Sequence, residues 1–109
     1  ITATAVRVPV YRSHSESVYV EFAEEITPEE ARELLAKAPG VIVQDDPAHN
    51  IYPMPLTASD TDEVYVGRIR RDLVNKNALN LWIAFDQVRK GAATNAVQIA
   101  EYLLAHDLV

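Results

Sequence analysis

Residues 17–24, 63–71 and 79–85 each alternate side-chain character at a period of two, and residues 1–10 alternate β-branched with small side chains. Successive strand side chains point to opposite faces, so a chain patterned this way must place most of its core against a half-buried sheet. Val8-Pro9-Val10 closes the first run, and because proline has no N–H to donate, that end is expected at a sheet edge. Residues 11–16 are polar and turn-prone, which predicts a loop before the second strand.

A helix interrupts the strands at Thr27-Pro28-Glu29-Glu30, a capping box with proline at the first helical position. Its buried stripe is read as Ala31, Leu34, Leu35 and Ala38, and Pro39-Gly40 ends it. Residues 41–43 make a short strand. Residues 44–62 hold three prolines and no clear period, which predicts a long irregular segment. Val64 and Val66 should oppose Tyr65, Gly67 and Ile69, and this strand should pair with residues 79–85 across the turn-prone Asn75-Lys76-Asn77. From about Gln87 the period becomes helical, with Ala92, Ala93, Ala96, Val97, Ala100, Leu103 and Leu104 on one broad face. The expected class is α+β, a mixed, largely antiparallel sheet with helices on one side.

Composition removes several functions. Ten Lys and Arg against sixteen Asp and Glu give a formal charge of -6, which repels phosphate backbones and anionic lipid, so neither nucleic acid nor a membrane is an expected partner. No apolar run approaches the roughly 20 residues of a spanning helix, and residues 1–10 lack the features of a signal peptide. The expected location is cytoplasmic. The absence of cysteine excludes disulfides and a thiol nucleophile on this chain, and the start without Met suggests a piece of something longer.

The histidines His14, His49 and His106 lie far apart in no zinc-type pattern, so no metal is expected. No glycine-rich nucleotide fingerprint is present. In Arg7-Val8-Pro9-Val10-Tyr11-Arg12-Ser13-His14 an arginine late on a strand can clamp a carboxylate or phosphate, and a loop histidine can transfer protons near neutrality. A surface ion pair and a solvated histidine fit the same spacing. Arg68 and Arg70 should share one strand face and Arg71 the other, ion-paired with acidic loops in preference to binding an anion. Asp86-Gln87 before Lys90-Gly91-Ala92-Ala93 is either an anion-binding helix start or an Asp N-cap. Trp82, Tyr19 and Tyr65 are core or interface aromatics.

Read together and in order, Arg7-Val8-Pro9-Val10, His14-Ser15-Glu16-Ser17-Val18-Tyr19-Val20, Gln44-Asp45-Asp46-Pro47, Tyr52-Pro53-Met54-Pro55, Val66-Gly67-Arg68-Ile69-Arg70 and Lys90-Gly91-Ala92-Ala93-Thr94-Asn95-Ala96-Val97-Gln98-Ile99-Ala100-Glu101 extend over nearly the whole chain. This series resembles the C-terminal portion of bacterial aspartate-semialdehyde dehydrogenases. The resemblance implies a fold like the C-terminal domain of glyceraldehyde-3-phosphate dehydrogenase. It also implies NADPH-dependent reductive dephosphorylation of aspartyl phosphate to aspartate semialdehyde, on the route to lysine (through diaminopimelate), threonine and methionine. It assigns His14 as the acid/base catalyst, Arg7 as the clamp on the substrate carboxylate and Gln87 as a contact to NADP. It further implies a homodimer, with residues 1–86 as a partial substrate-binding and dimerisation domain and residues 87–109 as a helix packing on a nucleotide-binding domain.

The family's nucleophilic cysteine and dinucleotide turn have no counterpart here, so this chain alone is expected to be inactive. Two other readings stay open: a non-catalytic dimerisation module, and an acyl-phosphate reductase acting on another substrate.

Overall fold

A computed structural model describes residues 1–109. Four strands form one sheet: β1 (His14–Glu21), β2 (Val41–Val43), β3 (Val64–Arg71) and β4 (Ala78–Phe85), in the order β1-β4-β3-β2. β4 runs antiparallel to both neighbours, and only β2 with β3 is parallel. Helix α1 (Pro28–Ala36) supplies the crossover into β2. The fold is therefore α+β with a mixed, mainly antiparallel sheet, as the alternation requires.

The capping box forms as read: Thr27 Oγ1 accepts the Glu30 amide at 3.2 Å and Glu30 Oε2 takes the Thr27 amide at 2.8 Å. Gly40, at φ +72°, completes the turn into β2. α1 buries only Ala31 of its expected stripe, against Val66, Ile69 and Leu79, with Leu35 partly buried beside them. Leu34 is 61% exposed, because it faces the open groove beside Phe22 and Ile26 instead of the sheet. On the opposite face Ala58 of the single-turn α2 (Pro55–Ala58) packs with Tyr65 and Ala84.

Residues 1–10 do not form the expected strand. They are exposed and pair with no strand, and their one backbone bond is Val10 N–H to Val8 C=O. A strand needs a ladder, and β1's available edge remains unpaired in this chain. β1 itself begins at His14, inside the expected loop, because the β4 register sets Phe85 opposite His14. Residues 44–62 are more ordered than their composition indicates: a turn of 3-10 helix (Pro47–His49) and α2 each start at proline.

β3 contains a bulge between Gly67 and Arg70, where three steps on β3 oppose two on β4. The extra residue moves Ile69 to the Val66 face, correcting the strict alternation that placed it with Tyr65. The cause is Asp45, whose buried carboxylate accepts the Arg68 amide at 2.7 Å and the Ile69 amide at 3.2 Å while pairing with Arg32 Nε at 2.7 Å. Arg68 takes φ +52° to present its amide.

The last helix, α3 (Ala93–Ala105), starts later than the helical period suggests, since the Asp86 carbonyl collects the Arg89 and Lys90 amides in a separate turn. None of its residues is buried. No helix is long and apolar enough to cross a membrane.

Candidate functional site

The end of β4 and the start of β1 bring two distant segments together. Their antiparallel register pairs His14 with Phe85, so the residues just outside the ladder, Arg12 and Ser13 on one side and Asp86 and Gln87 on the other, are neighbours in space. The His14 ring stands edge-on to Phe85, with centroids 5.6 Å apart and planes at 69°. The residue is exposed and its ring nitrogens have no hydrogen-bond partner, so both are accessible to a bound molecule.

Behind His14 lies a buried polar cluster. Asp86 is fully buried and accepts the Asp60 amide at 2.8 Å and the Val88 amide at 3.0 Å. Arg12 lies beside it, with Nε 2.7 Å from Asp86 Oδ2 and Nη1 2.6 Å from Asp60 Oδ1. Burial works to raise the Asp86 pKa, yet the Asp60 and Val88 amides and Arg12 together outweigh it and hold the carboxyl below the ordinary range. Asp86 is thus a buried anion in a loop, neither a helix N-cap nor part of an anion-binding helix start as its position in sequence suggested.

Ser13, between Arg12 and His14, is 3% exposed and adopts φ +76°. The Ser59 hydroxyl donates to the Pro55 carbonyl at 2.7 Å, which leaves the Ser13 hydroxyl as donor in the 3.0 Å bond to Ser59. Asp60 is likewise left-handed, at φ +65°.

Gln87 follows Asp86 directly, and its Oε1 is buried without a hydrogen-bond partner. A buried acceptor in this state costs free energy until an N–H reaches it. The loop beyond is tied down by Asp62, which takes Arg89 Nη1 at 3.0 Å and the Thr94 hydroxyl at 2.7 Å.

Of the three residues singled out by the sequence, the structure brings His14 and Gln87 to one end of the sheet. Arg7 is exposed in the unpaired segment, and neither hydrogen bond nor ion pair joins it to the other two. Arg12 and Asp86 were not read as partners, because only the strand register reveals that oppositely charged residues so far apart in sequence meet.

Two clefts lie elsewhere. The larger, about 590 Å³, runs between α1 and the end of β1, with Phe22, Ile26 and Leu34 walled by glutamates. The other, about 320 Å³, contains Arg68, Arg70, Ser17, Tyr52 and Trp82 on the second sheet face. Arg68 and Arg70 therefore share a face, yet neither is ion-paired as expected; Arg70 donates instead to the Arg68 carbonyl at 2.8 Å. Arg71 does pair, with Glu25. Tyr65 is core, whereas Tyr19 is exposed and bonded to Glu21. Trp82 donates its indole N–H to the Pro53 carbonyl at 2.9 Å.

Comparison with known proteins adds the following. Residues 1–90 match the family described as semialdehyde dehydrogenase, dimerisation domain. An aspartate-semialdehyde dehydrogenase of Aquifex aeolicus is 57% identical over 109 residues, covering 100% of this chain and 32% of that protein. One from Bacillus subtilis is 49% identical over 110 residues, with 100% and 32% covered. Among solved structures, aspartate semialdehyde dehydrogenase II of Vibrio cholerae complexed with ASA superposes with TM-score 0.83 at 41% identity, covering 91% of this chain and 29% of that one. The Francisella tularensis enzyme gives 0.74 at 28% identity, with 87% and 28% covered. The chain spans about a third of the length of the relatives it matches.

Proposed function

Because the chain belongs to the semialdehyde dehydrogenase dimerisation-domain family, we propose that it is the C-terminal, substrate-binding and dimerisation part of an aspartate-semialdehyde dehydrogenase. The complete protein reduces aspartyl phosphate to aspartate semialdehyde with release of phosphate, using NADPH, in the cytoplasmic biosynthesis of lysine, threonine and methionine. The observation that carries this reading is His14, exposed at the strand start opposite Phe85, with the pair of Arg12 and buried Asp86 joining its segment to the one that carries Gln87.

The roles follow from the chemistry of each side chain. The planar fork of Arg7 holds the substrate's α-carboxylate in two parallel bonds, which orients the reacting carbon as well as attracting it. Arg7 has no carboxylate of this chain to satisfy it, which leaves the fork available. His14 takes the proton of the attacking thiol and returns one to the departing oxygen. This chain has no cysteine, so the thiol comes from elsewhere in the longer protein.

When bound, the reduced nicotinamide supplies the hydride. Gln87 is the residue here that would hold the cofactor, and its orphaned buried Oε1 fits an amide N–H donor such as a nicotinamide carboxamide. Residues 1–86 form the substrate-binding and pairing unit and residues 87–109 an arm onto the nucleotide-binding domain. The exposed Val97, Ile99, Tyr102 and Leu104 of α3 support that division, since a helix this apolar needs a covering surface. Two copies of the protein pair through the sheet of this domain.

The reading is tested by following NADPH oxidation dependent on aspartyl phosphate in the complete protein. Arg7→Lys, which keeps the charge and loses the fork, is expected to lower kcat/KM for aspartyl phosphate by about a hundredfold. A loss of less than twofold would remove Arg7 from the substrate site.

A further inference from the structure

The Arg12, Asp86 and Asp60 cluster is built more rigidly than a loop junction requires. Asp86 is fully buried, and Arg12 sets Nε 2.7 Å from it as a charge pair while Nη1 hydrogen-bonds Asp60, so one guanidinium holds two carboxylates together. Two non-glycine residues at positive φ, Ser13 and Asp60, flank the ion pair. Strained backbone of this kind persists only where the surroundings over-determine it. The Ser13 hydroxyl bond to Ser59 and the Asp60 amide bond to Asp86 supply that support. The two segments so joined are the ones that carry His14 and Gln87, and Arg12 and Asp86 stand within two residues of them.

We propose that the Arg12–Asp86 pair is a clamp of positioning residues, holding the His14 segment and the Gln87 segment in fixed relation so that proton transfer and cofactor binding are aligned together. The clamp touches neither substrate nor cofactor and acts only through those two side chains. It rests on the functional reading given above for His14 and Gln87.

The experiment is a pair of double-mutant cycles in the complete enzyme. Arg12→Met is expected to lower kcat about a hundredfold, the cost of a misplacement on the scale of an ångström, and to raise KM for NADPH severalfold. In a His14→Ala background the same substitution is expected to lower kcat less than threefold, because there is no longer a positioned base to disturb. In a Gln87→Ala background its effect on KM for NADPH is expected to disappear. A merely structural role predicts the same factor in every background, and that result overturns the clamp, as does Arg12→Met within twofold of the parent. Where Arg12→Met fails to fold, Arg12→Lys carries the same cycles with a tenfold loss expected and the same two overturning results. Should His14→Ala alone leave turnover within twofold of the parent, the functional reading fails first, and the kinetic part of the clamp fails with it.

Discussion

Gly67 is the residue whose identity the structure constrains most tightly. A Cβ there would lie 2.0 Å from the Gln44 carbonyl oxygen and 2.6 Å from Pro53 Cδ. Both obstacles belong to backbone or ring, so neither can swing aside. Gly67→Ala is expected to lower the chemical-denaturation stability by about 1–3 kcal/mol, and an unchanged midpoint would show that this approach is looser than described. Asp45 is the second such residue, since its removal strands two amides and the Nε of Arg32. Asp45→Ala should cost about 3 kcal/mol, in the range for breaking a buried pair, measured by the same titration. The sequence marks Gly40, whose left-handed turn glycine favours, but it conceals Ser13 and Arg68, where tertiary hydrogen bonds force positive φ on ordinary residues. The same limit applies to Arg12 and Asp86, whose partnership exists only through strand register.

Among elements, the helix start at Thr27 was legible because every atom of its cap is local in sequence. Thr27→Ala should destabilise the domain by about 1 kcal/mol, read as a shift in denaturation midpoint without a change in slope. The alternating strands were legible for the same reason, to within a few residues. Residues 1–10 were misread because alternation declares that a segment can pair, not that a partner is present. The start of α3 was misread because residues 87–92 have helical composition, while the buried Asp86 carboxylate and carbonyl draw the following amides into a turn. The bulge in β3 has no local signal, since its cause, Asp45, lies in another segment.

At the scale of the molecule, the Cα radius of gyration is 15.4 Å, above the roughly 13 Å expected for a compact chain of this size. Residues 1–11 are exposed and no residue of α3 is buried, so both extend the chain beyond the packed sheet. Acid sensitivity is another molecular property. Five carboxyls have folded pKa values below their ordinary ones: Asp86 despite burial, Asp72 through the Asn75 and Val74 amides, Asp62 through Thr94 and Arg89, Glu25 through Arg71, and Glu30 through Thr27. The unfolded chain therefore binds protons first on acidification. Their stabilising contribution is complete above the unfolded values of about 4 and is lost as pH falls from there through the folded values. Thermal midpoints should be level from pH 7 to about 5 and decline below about 4; a midpoint unchanged down to the lower end would contradict these assignments. The central claim, that this domain supplies the acid/base group of a semialdehyde dehydrogenase, is tested most directly by the turnover number of the complete enzyme carrying His14→Ala. The account predicts a fall of about 10²–10⁴ with the protein still folded and dimeric, whereas turnover within twofold of the parent would contradict it.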